Sequence, residues 1–407
     1  MLLLHIQRNF MRLKKGEVSL GRSKKTSKLN HNTILLVGMV DSPHFQKWIN
    51  TLREEFTDKD IYIFPSDRPR LLRHKEVASQ RRIARVNIFQ LVPARQLNFA
   101  LYYLLDLLFL QRWRAYFLAR LISRKKPNII HFHEMQHSAY LFNLIATHSK
   151  APKNIKIIVS TWGSDLTLYS WADKHITQIQ SVLSWTDVLT AEKECEQIDA
   201  RRLDYKGVFL SPVYITLGKS KDEIKESSLT SSRRIVLIKG YQDNPGRALN
   251  ALHALEELQD ELNAFEIIVY SASDPVRLQV DLLRNKYAMN IKVLERISYQ
   301  EMQNIFSQAR ISIGLAVSDG LPGVLVEAMA GGAFPIQSAN SAAKDLIEHG
   351  VGGFIVDPWD LKSVANSIRI ALSDDQLVDT ARIINKNSLE KNYSIVDGIS
   401  KLRELYS

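Results

Sequence analysis

Short apolar runs alternate with amphipathic stretches along almost the whole chain after residue 31. Residues 33–40 (TILLVGMV) and 61–65 (IYIFP) read as buried strands by composition and length. Between them, Phe45, Trp48, Ile49, Leu52 and Phe56 recur at helical spacing on one face. This is a β-α-β unit. Residues 128–134 (NIIHFHE), 156–165 (KIIVSTWGSD), 188–193 (VLTAEK) and 207–213 (GVFLSPV) continue the strand series, and residues 135–149 form a helix after the first of them. The polar clusters fall at the C-terminal ends of these strands, the ligand edge of a parallel sheet. Residues 217–232 are polar and Ser-rich and read as a linker. The alternation then restarts, with strands at 234–241, 265–272, 291–296, 311–317, 335–338 and 352–357, and helices at 246–262, 275–287, 298–309, 345–349 and 360–372. The expected fold is α/β, with two Rossmann-like domains facing across a cleft.

One stretch breaks this rhythm. Residues 97–126 form a long helical region whose apolar density exceeds one stripe. Packing against a sheet is one reading. The other is a membrane-facing interfacial helix with a basic flank, since Arg112, Arg114, Arg120, Arg124, Lys125 and Lys126 follow its apolar part. Its most apolar run, residues 99–110, is too short to span a bilayer and contains Asp106.

The 407 residues carry a net charge of +11, and its location matters more than its size. Residues 1–30 hold eight Lys/Arg against Glu17, or +7; the rest holds 46 basic against 42 acidic residues, or +4. A second basic block, residues 67–95, sets eight Lys/Arg against Asp67 and Glu76. The first 30 residues read as a disordered basic tail without a signal peptide's apolar core. The excess lacks the interleaved aromatics of a nucleic-acid surface, so no nucleic-acid partner is expected. Cys195 is the one cysteine; it excludes an intrachain disulfide and favours a reducing compartment. The expected location is cytoplasmic, at the inner face of the plasma membrane.

Several signatures are absent: no G-x-G-x-x-G follows a strand, and there is neither a P-loop nor a G-x-S-x-G. Asp58-Lys59-Asp60 is the one D-x-D, and it reads as a turn at the wrong edge of the sheet. His131 and His133 share a strand face with Glu134 on the other, so no metal site is expected there. Residues 317–332 (VSDGLPGVLVEAMAGG) are more specific. A strand runs into a Gly-containing loop and a helix start, a ready anion site. Asp319 and Glu327 stand eight positions apart there, and carboxylates suit sugar or ribose hydroxyls.

Residues 298–360 resemble the retaining GT-B glycosyltransferases of glycosyltransferase family 4. Their signature is an acid, seven residues and a Glu, followed by Ala-Met-Ala and glycines. Here it is Asp319, seven residues, then Glu327-Ala-Met-Ala-Gly-Gly, with Gly350 and Gly352-Gly353-Phe-Ile-Val-Asp-Pro downstream. Weaker support comes from VGMVDSPHFQKW, KPNIIHFHE, STWGSD and NYSIVDGISKLRELY. The resemblance implies a nucleotide-sugar donor, UDP- or GDP-linked, used as substrate without cofactor or metal. It implies that Glu327 binds the donor ribose and Asp319 hydroxyls of the transferred sugar. Amides at Gly323, Val324 and Leu325 would hold phosphate, with Lys239 and Arg247 on the pyrophosphate. Gly38 would permit close ligand approach, His133 would act at the active site, and Ser164 and Asp165 would lie on the acceptor side. Two departures stand out. Asp319 occupies a position where Glu is commoner, and Pro322, which has no N–H, replaces a common Gly. The organisation expected is a tail (1–30), an acceptor-side domain (31–216), a linker (217–232), a donor domain (233–385) and a C-terminal helix (386–407) packing back on the first domain. A hexosyl transfer to a glycan or lipid-linked acceptor at an anionic membrane is the leading reading. A nucleotide-sugar epimerase and a non-catalytic sugar-nucleotide-binding protein are the alternatives.

Overall fold

The computed structural model describes residues 33–67, 86–89, 91, 95–109, 111–146, 154–224 and 228–407. The basic tail and most of the 67–95 block lie outside these residues. Contacts divide the chain into one unit made of Met1–Thr216 with Ile399–Ser407, and a second, Leu217–Gly398.

The first unit is built on β1 (Thr33–Gly38), whose six residues are all buried. A continuous apolar strand belongs at the centre of a parallel sheet covered on both faces. Helix α1 (Pro43–Glu55) opens on Pro43, which needs no helical N–H there, and buries Phe45, Trp48, Ile49 and Leu52. It stops at Glu55, so Phe56 caps the helix instead of extending its buried face. The chain continues through β2 (Asp60–Pro65), β3 (Val86–Ile88), α2 (Arg95–Phe109), α3 (Arg112–Lys125) and β4 (Ile129–His133). A π-helical turn, Met135–Ala139, leads into α4 (Tyr140–Ala146). Then come β5 (Lys156–Ser160), α5 (Ser164–Thr167), α6 (Asp173–Trp185), β6 (Val188–Thr190), α7 (Glu196–Arg202) and β7 (Val208–Leu210). The strand order is β3-β2-β1-β4-β5-β6-β7, and every pairing is parallel. Strand order therefore reverses between β1 and β4, the point where such sheets open toward a ligand.

The long apolar region is two helices, not one, and only one face of the first is buried. Tyr102 and Leu105 of α2 are buried with Trp113. Asp106 is buried too: it accepts from Trp113 Nε1 at 2.8 Å and pairs with the Arg114 guanidinium, which also donates to the Ser66 carbonyl at 2.6 Å. On the opposite face of α2, Tyr103, Leu104, Leu107 and Leu108 are 42–69% exposed. Among the described residues, no helix is long and apolar enough to cross a membrane.

The second unit repeats the plan. Its strands are β8 (Ile235–Lys239), β9 (Glu266–Tyr270), β10 (Ile291–Leu294), β11 (Ala309–Gly314), β12 (Phe334–Ser338) and β13 (Phe354–Val356). Its helices are α8 (Ala248–Glu256), α9 (Asp274–Tyr287), α10 (Tyr299–Gln308), α11 (Gly323–Gly331), α12 (Leu361–Ser373) and α13 (Asp375–Asn392). The order β10-β9-β8-β11-β12-β13 is again all parallel and reverses between β8 and β11. One face of the sheet packs a core with α8, α9 and α12; the other packs Leu237 and Ile268 beneath Val324 and Ala328 of α11. The segment read as a linker contains Thr230, buried and donating to the Gly332 carbonyl at 2.6 Å, and Ser231, donating to Asp379 at 2.6 Å.

A final helix, α14 (Ile395–Tyr406), follows a break at Ser394, and its residues from Ile399 onward group with the first unit. The returning C-terminal helix is thus α14 alone, while residues up to Asn392 belong to α13. Tyr406 is fully buried. Its hydroxyl accepts from Trp48 Nε1 at 3.0 Å and meets His131 Nδ1, whose Nε2 lies 2.6 Å from Ser160 Oγ. Lys59 and Lys156 donate to the carbonyls of Tyr406 and Leu405.

Candidate active site

Each reversal of strand order gathers the residues singled out in the sequence. In the second unit, β8 ends at Lys239 and β11 runs into the loop bearing Asp319, adjacent strands on either side of the reversal. Lys239 Nζ lies 3.6 Å from Asp319 Oδ2, and its ammonium stands 5.0 Å from the Tyr241 ring centre. Asp319 Oδ1 accepts from the Gly320 amide at 3.0 Å. Helix α11 begins at once, and its first amides have no intrahelical carbonyl to reach. Gly323 and Val324 lie in that first turn, whereas the Leu325 amide already donates to Pro322 at 3.0 Å. Gly240 cannot carry a side chain, because a Cβ there would stand 2.7 Å from Ala272 Cα. This brings the β8 exit against the β9 exit.

Glu327 lies one turn into α11, in a set of donors that the sequence did not disclose. Its Oε2 is 3.0 Å from Lys219 Nζ and also accepts from Gln303 Nε2; its Oε1 accepts from the Tyr299 hydroxyl at 3.2 Å. Burial alone would lower the Lys219 pKa. The Glu327 carboxylate, with Tyr299 and Glu223, outweighs that and holds it above the usual lysine value. Tyr299 and Gln303 come from α10, whose start is fixed by a reciprocal Ser298–Glu301 capping box. A Lys in a Ser-rich polar stretch has no sequence signal to distinguish it, which is why Lys219 was read as linker.

Arg247 is tied to its own loop through one of its guanidinium nitrogens. Its Nη1 donates to the carbonyls of Asp243, Asn244 and Gly246, and the guanidinium lies 4.7 Å from the Trp359 ring centre. These bonds close the 243–247 loop.

In the first unit the reversal lies between Gly38 and His133. The space beside Gly38 is filled: a Cβ would stand 2.8 Å from the ring of Phe45. The absent Cβ thus makes room for the Phe45 ring. His133 is fully buried, and neither ring nitrogen has a partner. Its ring lies 4.0 Å from that of His131 and 4.7 and 5.2 Å from Phe45 and Trp48. Burial, then the neighbouring His131, push its pKa far down, so the imidazole is neutral. It can donate one hydrogen bond and accept another, but it cannot serve as a cation. Next to it, Glu134 adopts φ 65° and ψ 159°, a region L-residues rarely enter. The fold holds it there because its carboxylate accepts from the amides of His137 and Ser138 and from His137 Nδ1 at 3.2 Å. The bond to Glu134 raises the His137 pKa to about 9 against the opposing effect of burial. Asp165 is also buried. Its two oxygens accept from the Met135 and Trp162 amides at 2.7 and 2.6 Å, clamping the β4 and β5 exits together. Burial and then Glu134 raise its pKa to about 7. Ser164 opens the short helix α5 beside it.

Residues 33–183 match the family model described as Glycosyl transferase 4-like, and residues 220–391 match Glycosyl transferases group 1. The chain is built of two glycosyltransferase domains. No curated protein sequence matches it. Among solved structures, the chain is similar to Anabaena HepE in complex with UDP-glucose, with a TM-score of 0.68 at 14% identity over 92% of this chain and 99% of that one. Sucrose-phosphate synthase of Thermosynechococcus elongatus gives 0.68 at 14% identity over 92% and 98%. The lipopolysaccharide outer core galactosyltransferase WaaB gives 0.62 at 14% identity over the same shares. At these identities the likeness concerns the fold: two Rossmann-like domains of the GT-B class.

Proposed function

We propose that this protein is a retaining, metal-independent hexosyltransferase that moves a sugar from a UDP- or GDP-linked donor to a glycan or lipid-linked acceptor. The observation that carries the reading is the Lys239–Asp319 pair at the start of α11, with Glu327 one turn further on. Glu327 accepts from the donor ribose and Asp319 from a hydroxyl of the sugar. Lys239 and the amides of Gly323 and Val324 neutralise the pyrophosphate and stabilise the departing nucleoside diphosphate. In the transfer, the bond from the anomeric carbon to the phosphate oxygen breaks and the acceptor oxygen bonds that carbon from the same face. The acceptor proton passes to the leaving phosphate. Neutral His133 supplies a hydrogen bond to the sugar or acceptor and takes no proton.

The acceptor reading rests on helices α2 and α3. Tyr103, Leu104, Leu107 and Leu108 form an outward apolar face, and Arg112, Arg120, Arg124 and Lys126 are exposed on the helix that follows. Apolar side chains with a cationic flank suit the inner, anionic face of a membrane bearing a lipid-linked acceptor.

A thermal-shift panel of UDP-, GDP- and ADP-sugars tests the donor assignment. One UDP- or GDP-sugar is expected to raise the midpoint, because a ligand bound to the native state alone stabilises it by mass action. Glu327→Ala should abolish the shift. A panel without any shift would reject the reading, and conversion of the donor sugar without acceptor would point to an epimerase.

A further inference from the structure

The chain passes between its two units at Thr216–Leu217 and again at Gly398–Ile399. The segments beside these crossings lie backbone against backbone. Gly218 has φ +93°, and a Cβ there would stand 2.6 Å from the Ser394 carbonyl; one on Gly398 would stand 2.0 Å from the Leu217 oxygen. Lys219 lies in this backbone pairing, within the second unit. Its amide donates to the Tyr393 carbonyl at 2.9 Å, and its carbonyl accepts from the Ile395 amide at 3.0 Å. Its backbone is therefore held on both sides by residues 393–395, while its side chain, only 4% exposed, reaches the Glu327 carboxylate.

The donors around Glu327 are distributed unevenly. Oε2 receives Lys219 and Gln303, which together use its two lone pairs. Oε1 receives the Tyr299 hydroxyl and keeps one lone pair. The Glu327 side chain is 20% exposed, so the carboxylate is neither sealed nor free to rotate.

We propose that Lys219 is the positioning residue of the donor pocket: it pins Oε2 of Glu327 so that Oε1 faces a ribose hydroxyl, and it ties that carboxylate to the paired backbone segments 217–220 and 393–395 of the second unit. The inference rests on Glu327 being the ribose acceptor. Its consequence is a two-way link. Losing the ammonium lets the carboxylate turn away from the ribose, and a nucleotide that fixes the carboxylate also fixes residues 218–220 and 393–395.

Calorimetric titration of the whole protein with UDP and with GDP, in a double-mutant cycle, tests this. Lys219→Met keeps the length of the side chain and removes its charge. It is expected to weaken nucleotide binding by about ten-fold or more, since a hydrogen bond to a charged group is being lost. Glu327→Gln should weaken binding similarly, and the double variant should be no weaker than Glu327→Gln alone, because Lys219 acts through that carboxylate. Unchanged binding by K219M, or losses that multiply independently, would overturn the proposal. Hydrogen exchange of the unmutated protein gives a second reading free of folding effects. UDP or GDP should slow exchange at residues 218–220 and 393–395, and unaltered exchange in a nucleotide-saturated sample would overturn the link. Should the unmutated protein bind neither nucleotide, the donor reading falls and the inference with it; should it bind while K219M binds equally well, the inference alone falls.

Discussion

Replacing Tyr406 by Phe removes one oxygen from the centre of the first unit. The Tyr406 hydroxyl accepts from Trp48 Nε1 and meets His131 Nδ1, and all three side chains are fully buried. The chain of contacts runs on from His131 Nε2 to Ser160 Oγ, and from there to Thr190 Oγ1 at 2.6 Å. Phenylalanine fills the same space but leaves the Trp48 N–H and the His131 nitrogen without a partner. A buried polar group left unmatched costs about 1–3 kcal/mol, so two cost roughly 2–4 kcal/mol once relaxation is allowed. Five of the six tryptophans, Trp48, Trp113, Trp162, Trp171 and Trp185, lie in the first unit. Tryptophan fluorescence during urea unfolding of the whole chain therefore reports mainly that unit. With a slope of about 2–3 kcal/mol per molar urea, the midpoint should fall by about 1 M. Trp48→Phe deletes one of the same contacts, so the two losses together should be less than additive. A midpoint within about 0.2 M of the original would refute the claim that this relay anchors α14. Because His131 stacks on His133, the variant should also weaken whatever that neutral imidazole binds.

Two further outcomes follow from other parts of the first unit. The folded His137 pKa of about 9 stands above the ordinary 6.5, so its pairing with Glu134 contributes fully below about pH 6.5 and is lost as pH rises through 9. The ring is half exposed, which reduces the effect to about 1 kcal/mol; urea midpoints at pH 6 and pH 10 should differ less in His137→Asn than in the original protein, and an equal pH dependence would contradict the assignment. On the other flank, Leu107→Glu with Leu108→Glu should abolish flotation with anionic liposomes while leaving nucleotide-induced thermal shifts unchanged; flotation that persists would remove α2 from the membrane contact.

Much of the architecture was legible in the residues. Apolar runs such as β1 and β11 specify buried parallel strands because both of their faces must be covered. The spacing of Phe45, Trp48, Ile49 and Leu52 specifies one face of α1. Asp319, Glu327 and the helix start between them are neighbours in sequence, so local chain geometry puts one acid before the helix and the other one turn into it. The break between α2 and α3 was not legible. It depends on Asp106 meeting Arg114 and Trp113, a contact that an apolar count does not contain.

What the sequence by itself determined is the alternation of strand and helix, the two domains and the Asp319–Glu327 loop-to-helix motif, all of which follow from periodicity and near neighbours. Tertiary structure alone decided what surrounds the named side chains. It set Phe45 against Gly38, bonded Arg247 Nη1 to its own loop, buried His133 with neither ring nitrogen bonded and placed Asp165 between two backbone amides. It also brought Lys219 to Glu327 across 108 positions of sequence, from the segment that had read as a linker. A buried ammonium must find its counter-charge wherever the fold supplies it, and sequence separation carries no trace of that pairing.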